Sequence, residues 1–175
     1  GVDRYGKAIA NSKKYKIINN GIKADDYTFN EEKRVAMRSE FDILDHYVIG
    51  HVGRFSAVKN HNFMLEVLAE LKKFNADYTM MLVGDGELRK TIELKAKNMD
   101  IADSIVFTGI RKDVPSVLQA MDQFIFPSFN EGLGIGLIEA QAAGLPCIAN
   151  KDGIISLAKF SNLVEMKSIY EGAQV

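Results

Sequence analysis

From Tyr47 onward, short apolar runs rich in β-branched and aromatic residues alternate with longer segments of helical period, and this rhythm restricts the fold more than any other feature. The runs at 47–52, 78–83, 104–107, 123–126 and 146–149 read as strands. Between the first two, Phe63, Met64, Val67, Leu68 and Leu71 fall on one helix face, and Leu88, Ile92 and Ala96 repeat the pattern after Gly86. Two further helices are expected at 113–121 and 134–143, the second stopped by Gly144 and Pro146. Strand, helix, strand, helix in succession predicts an α/β architecture, an open parallel sheet with helices on both faces. Such sheets bind ligands beyond the carboxyl ends of their strands, which singles out the loops 53–60, 84–87, 108–112 and 127–134. A charged surface helix at 31–41, a short strand at 15–19 before the Asn20-Gly21 turn and one more strand within 162–169 complete the expectation.

With 175 residues the length suits one domain. The 22 Lys and Arg nearly cancel the 23 Asp and Glu, so bulk charge does not attract nucleic acid or acidic membrane, and any anion site must be local. One cysteine, Cys147, excludes an intrachain disulfide framework; within an apolar strand it reads as an inert core thiol. No run approaches the roughly 20 apolar residues of a membrane span. Histidines and carboxylates do not recur at ligand spacing, so no metal site is expected. His46 and His51 read as structural, and for His61 the start of a helix is a better reading than membership of a site on the loop 53–60. Ser128 lacks a glycine-flanked nucleophile pattern.

The segment 128–139 carries the most chemistry. Gly132, Gly134 and Gly136 let the backbone approach a ligand, and the helix that follows aims its free amides and positive dipole end at it. Glu131 would repel a phosphate in that cradle, so its charge suits sugar hydroxyls or positive character developing on a carbon. Glu139 lies about one turn inside the helix, and long helical side chains lean toward the amino end. It reaches the same cleft, where its two oxygens suit a vicinal diol such as a ribose. Read alone, a tight turn with two solvated glutamates fits equally well. After the first core strand, Arg54 and Lys59 stand five residues apart on a loop at the sheet's carboxyl edge and would clamp a diphosphate, the Arg as a planar fork and the Lys as a point charge. Read alone, that loop fits a solvated basic turn better. At Gly84-Asp85-Gly86 the third glycine of a dinucleotide fingerprint is replaced by Arg89, so no nicotinamide cofactor is expected, and Asp85 or Glu87 is expected to cap the next helix.

Taken together and in order, these segments resemble the retaining glycosyltransferases of family 4, whose GT-B fold pairs two Rossmann-like domains. The resemblance rests on the E-x7-E pair Glu131 and Glu139, on Gly53-Arg54 with Lys59-Asn60, on Leu82-Val83-Gly84-Asp85-Gly86 with Arg89, on Val106-Phe107-Thr108-Gly109, on Pro127-Ser128, and on Glu139-Ala140 with Ala143-Gly144-Leu145-Pro146. Asn20-Gly21-Ile22 resembles the segment that leads from the first domain into the second. The resemblance implies a carboxyl-terminal, donor-binding half: 1–22 as the interdomain segment and first strand, 23–175 as the Rossmann-like donor domain, and an amino-terminal acceptor domain absent from this chain. It implies that Gly53, Arg54 and Lys59 hold the diphosphate of a nucleotide sugar, helped by amides of Gly132, Leu133 and Gly134. Glu131 would contact the donor sugar, Glu139 the ribose, and the backbone of Gly109, Ile110 and Arg111 the base. Glu131, Arg54 and Lys59 would be catalytic in a hexosyl transfer that needs no metal or other cofactor. A UDP-sugar is favoured over a GDP-sugar as donor. The acceptor would be a saccharide or lipid-linked molecule bound by the other domain, no nucleic acid is involved, and the fragment by itself would be inactive. The setting implied is the cytoplasm, or the inner face of the membrane for a full-length protein.

The chain departs from the family pattern at Lys23, at Gln141, and at Asp152-Gly153-Ile154-Ile155-Ser156, where many members carry Gly-Gly-x-x-Glu. Its Glu139-Ala140-Gln141-Ala142-Ala143-Gly144 run, with Leu163-Val164-Glu165 later, most resembles bacterial exopolysaccharide and capsule transferases. Two other readings stay open: an isomerase like the epimerases of UDP-N-acetylglucosamine, and a non-catalytic nucleotide-sugar-binding module.

Overall fold

A computed structural model describes residues 20–74, 77–153 and 158–171. Six strands, β1 (Tyr47–Val52), β2 (Tyr78–Val83), β3 (Ile105–Gly109), β4 (Gln123–Phe126), β5 (Cys147–Asn150) and β6 (Val164–Lys167), form one sheet in the order β3-β2-β1-β4-β5-β6. Every neighbouring pair is parallel. The helices are α1 (Glu31–Glu40), α2 (His61–Leu71), α3 (Arg89–Asn98), α4 (Val114–Gln119) and α5 (Ile135–Ala142).

The strands are near-continuous apolar runs because both faces of the sheet are covered. Val48, Met81, Phe124 and Cys147 pack with Val117 and Leu118 of α4 and Leu137 of α5 on one face. Ile49, Met80, Leu82 and Ile125 pack with Met64, Leu65 and Leu68 of α2 and Ile92 of α3 on the other. Each such side chain taken fully out of water stabilises the fold by about 1.5–3 kcal/mol. The edge strand β6 alternates instead: Val164 is buried and Glu165 and Lys167 are exposed, a charged rim that discourages further pairing.

Three expected strands have the expected bounds, and two are shifted for local reasons. Pro146 has no N–H to give to a ladder, so β5 begins one residue later, while the Pro146 carbonyl accepts from Phe124 N at 2.8 Å. Ser104 closes a 3₁₀ turn, Ala102–Ser104, and β3 runs from Ile105 to Gly109. The strand expected at 15–19 lies outside the described residues. The charged surface helix expected at 31–41 is α1, most of whose residues are exposed. Helix α1 is capped by Asn30, which accepts from Lys33 N at 2.8 Å, but its Arg38 is buried and donates to the carbonyls of Ala120, Leu44 and His46 and to Asp122. Arg34 takes the other oxygen of the same carboxylate, which also accepts from Val48 N at 2.7 Å. One aspartate thus fastens α1 to the start of β1 and β4.

Chain order reverses between β1 and β4, because β2 and β3 lie to one side of β1 while β5 and β6 lie beyond β4. The loops leaving β1 and β4 therefore part, and the crevice between them is where an open α/β sheet binds its ligand.

Candidate active site

Lys59 and Glu131 meet across this crevice. Asn60 adopts a left-handed conformation that ends the 3₁₀ turn Ala57–Lys59 and starts α2, and its side-chain amide reaches the Pro127 carbonyl at 3.4 Å. Phe129 N donates to the Val58 carbonyl at 2.9 Å, so the two loops are stitched by backbone as well. Held this way, Lys59 Nζ lies 2.5 Å from Glu131 Oε1 and 5.0 Å from the centre of the Phe126 ring. Their side chains are 20% and 13% exposed, so solvent screens this pair less than a surface contact.

A cavity of about 380 Å³ opens here, lined by Gly53, Arg54, Lys59, Glu131, Leu133, Gly134 and Glu139 together with Asn20, Val52, Ile135 and Gly136. Gly134 sits at φ +67°, a left-handed turn that glycine adopts free of the strain a Cβ brings, and begins α5 with no side-chain cap. A Cβ on Gly136 would lie 2.9 Å from the Val52 carbonyl, so glycine there lets the start of α5 press against the end of β1. The first-turn amides of a helix lack partners within it, and those of Ile135 and Gly136 belong to residues that line this cavity. Glu139, one turn further on, accepts a hydrogen bond from the Tyr27 hydroxyl at 2.6 Å.

A second cavity, of about 250 Å³, shares Val52, Gly53 and Arg54 with the first and extends over Val83, Gly84, Asp85, Ile110, Arg111 and Val114. Its aliphatic walls suit a flat ring. The Arg111 guanidinium is held by Asp113 and Glu40, each at 2.7 Å, and these bonds raise its already high pKa further.

The four charged residues singled out from the sequence, Arg54, Lys59, Glu131 and Glu139, thus line one cleft at the carboxyl ends of the strands. Gly53, Leu133 and Gly134 line it with them, and Ile110 and Arg111 reach the adjoining cavity. Gly109 and Gly132 line neither; the Gly109 carbonyl accepts from Gly84 N at 2.8 Å. Arg54 is largely exposed and pairs with Glu87 at 3.1 Å. Neither Asp85 nor Glu87 caps α3, which begins after Leu88 without a side-chain cap, because Asp85 instead accepts from its neighbour Gly86 N and Glu87 is turned toward Arg54. Tyr27 was not legible as a site residue: its partner Glu139 is 112 positions away.

The histidines and the cysteine are structural. His51 Nδ1 donates to the Ile125 carbonyl at 2.9 Å, and His61 stacks on Phe55 with ring centres 4.1 Å apart. Burial pushes the pKa of His51 down to about 3 and that of His61 down to about 4, keeping both neutral. Burial pushes the Cys147 thiol up to about 12, and its Sγ lies 3.1 Å from the Leu145 carbonyl.

Residues 33–157 match the family of glycosyl transferases group 1. The chain belongs to this family. Over 145 residues the chain is 34% identical to EpsF of Bacillus subtilis (strain 168), named as a glycosyltransferase, covering 82% of this chain and 38% of that protein. Over 107 residues it is 34% identical to the UDP-Gal:alpha-D-GlcNAc-diphosphoundecaprenol alpha-1,3-galactosyltransferase of Escherichia coli, covering 59% of this chain and 28% of the relative. The chain thus spans well under half the length of these curated relatives. Among solved structures, Anabaena HepE in complex with UDP and glucose superposes with a TM-score of 0.75 at 25% identity, over 87% of this chain and 41% of that one. The C-terminal domain of the group 1 protein LpcC from Francisella tularensis superposes with a TM-score of 0.70 at 26% identity, over 86% of this chain and 83% of that one. The six-stranded parallel sheet of the chain, flanked by helices, matches the C-terminal Rossmann-like domains of GT-B glycosyltransferases.

Proposed function

We propose that this group 1 domain binds the donor of a glycosyl transfer, a nucleotide-diphosphate sugar with UDP as the preferred nucleotide, and that the enzyme it serves transfers a hexose with retention of configuration in bacterial polysaccharide synthesis. The observation that carries the reading is the cleft at the β1–β4 switch point, where Arg54, Lys59, Glu131 and Glu139 share one cavity. Arg54 and Lys59 hold the diphosphate, with the amides at the start of α5 beside them. Glu139 takes the ribose, and the aliphatic cavity next to Ile110 takes the base. As the bond from the anomeric carbon to the diphosphate breaks, negative charge grows on the leaving oxygen and positive character on the carbon. Preorganised cations on one side and the Glu131 carboxylate on the other meet these charges where they develop, which is how an electrophilic clamp accelerates such a step without a metal.

The complexes of Anabaena HepE with UDP, glucose and UDP-glucose support the choice of nucleotide. The reading places a saccharide or lipid-linked acceptor on a second, amino-terminal domain, as the chain's limited share of its relatives supports, and sets the reaction in the cytoplasm or at the inner membrane face. Half a cleft neither excludes water nor positions an acceptor, so this chain alone should bind nucleotide and transfer nothing. Calorimetric titration with UDP and GDP, alongside a transfer assay, tests both parts. Saturable UDP binding without transfer is expected. Absence of binding of either nucleotide at millimolar concentration overturns the site, and robust transfer by the chain alone overturns the two-domain reading.

A further inference from the structure

We infer that Tyr27 is a positioning residue for donor binding: its hydroxyl fixes the Glu139 carboxylate so that one oxygen, Oε2, is presented to the ribose. The inference rests on the proposal that Glu139 takes the ribose. Tyr27 is 7% exposed and is the buried residue of the 3₁₀ turn Ala24–Tyr27, with its ring in the core beneath α4 and α5. Its hydroxyl donates to Glu139 Oε1 at 2.6 Å, a charge-assisted bond that also raises the pKa of the phenol, after burial itself. Among the described residues, Oε2 of Glu139 has no hydrogen-bond partner.

The anchor is itself anchored. The Tyr27 carbonyl accepts from Gln119 Nε2 at 3.2 Å, and Gln119 Oε1 accepts from Asn30 N at 3.0 Å, so both ends of the segment 27–30 are tied to α4. A glutamate loses considerable rotamer freedom when it is held in one geometry. With Tyr27 in place that cost falls in folding rather than in binding, and the carboxylate meets its ligand already oriented. Asn20, earlier in the same stretch of chain, lines the donor cleft, so residues 20–27 reach both the cleft and the carboxylate that takes the ribose.

The test compares UDP with 2′-deoxy-UDP and 3′-deoxy-UDP, titrated calorimetrically into the intact protein and into its Tyr27→Phe variant, with thermal melts to establish folding. Phenylalanine keeps the ring and removes only the donor. For the unaltered protein, UDP should bind more tightly than at least one deoxy analogue. In Tyr27→Phe the affinity for UDP should fall roughly 3–10-fold while that for the analogue changes little, so the preference shrinks. A purely structural role would weaken all ligands alike. Incorporation of 4-aminophenylalanine at position 27, which retains a donor at the same place, should restore the preference and also serves if the phenylalanine variant does not fold. Absence of UDP binding to the unaltered protein overturns the ribose reading and the inference with it. Tight UDP binding with an unchanged preference in Tyr27→Phe overturns the inference alone.

Discussion

Lys59 Nζ and Glu131 Oε1 lie 2.5 Å apart across the crevice between β1 and β4, joining two loops whose residues are 72 positions apart in the chain. On the proposed reading, this cation and anion hold each other in the place where a diphosphate and the sugar attached to it would part. A diphosphate approaching Lys59 must share it with Glu131, and the two parts of the cleft are therefore coupled.

This coupling predicts opposite effects on binding and on rate. Glu131→Gln removes the charge that competes for Lys59, so UDP itself should bind about 2–10-fold more tightly, the scale of one partly screened charge pair. Turnover by the intact enzyme should nevertheless fall by roughly 10² to 10³ if, as proposed, the carboxylate meets the positive character that develops on the anomeric carbon. Calorimetry with UDP and steady-state kinetics with the donor varied check the two signs separately. Weaker UDP binding together with undiminished turnover would contradict the coupling.

Arg54 should behave differently on stability and on function. Its side chain is 74% exposed and its partner Glu87 is 54% exposed, so Arg54→Ala should leave the folding free energy within about 0.5 kcal/mol of the unaltered protein. Turnover should fall by roughly 10² to 10³ if its guanidinium meets the leaving diphosphate. Urea unfolding and donor kinetics on the same preparation separate the two quantities.

Acid should weaken the fold through the two buried imidazoles. His51 and His61 are held neutral, at about 3 and about 4, whereas an unfolded histidine titrates near 6.5. Above that value neither state takes up a proton at these sites, and their full contribution to stability is present. As the pH falls below it, the unfolded chain binds protons that the folded one refuses, and stability drops by about 1.4 kcal/mol per pH unit for each histidine. Both ring nitrogens of His61 lack a hydrogen-bond partner among the described residues, so His61→Leu orphans nothing and should roughly halve this slope. Urea midpoints at pH 7.5 and 5.5 measure it; an equal slope in the variant would contradict the assignment.

Asp122 should matter to the fold alone. Asp122→Asn leaves the guanidinium of Arg38, whose side chain is 8% exposed, without its carboxylate and weakens the bond to Arg34. A loss of about 2–4 kcal/mol in folding free energy is expected, toward the lower end of broken buried pairs because Asp122 is partly exposed. Nucleotide affinity of the folded fraction should be unchanged. Denaturant titration and calorimetry read these two effects.

Much of this was legible beforehand, for physical reasons. Strands buried on both faces announce themselves as unbroken apolar runs, so Tyr47–Val52, Tyr78–Val83 and Gln123–Phe126 have the bounds that their composition predicts. The spacing of Gly134, Gly136 and Glu139 is local, and the start of α5 follows from it. The partners of charged side chains are not local. A helix reading Glu-Glu-Lys-Arg-Val-Ala-Met-Arg looks solvated, and nothing within it reveals that Arg38 turns inward to a carboxylate 84 positions away. For the same reason Glu87 passes for a helix cap until Arg54, 33 positions earlier, is folded beside it.

The central claim is that the cleft at the β1–β4 switch point holds a diphosphate through Arg54 and Lys59. The most direct test is calorimetric titration of UDP into the unaltered protein and into an Arg54→Ala, Lys59→Ala double variant whose thermal melt establishes that it is folded. Saturable binding to the first and a loss of at least about 100-fold in the second are predicted, as two charge-assisted contacts to one diphosphate are removed. Equal UDP affinity in the two proteins would place the diphosphate elsewhere and contradict the account.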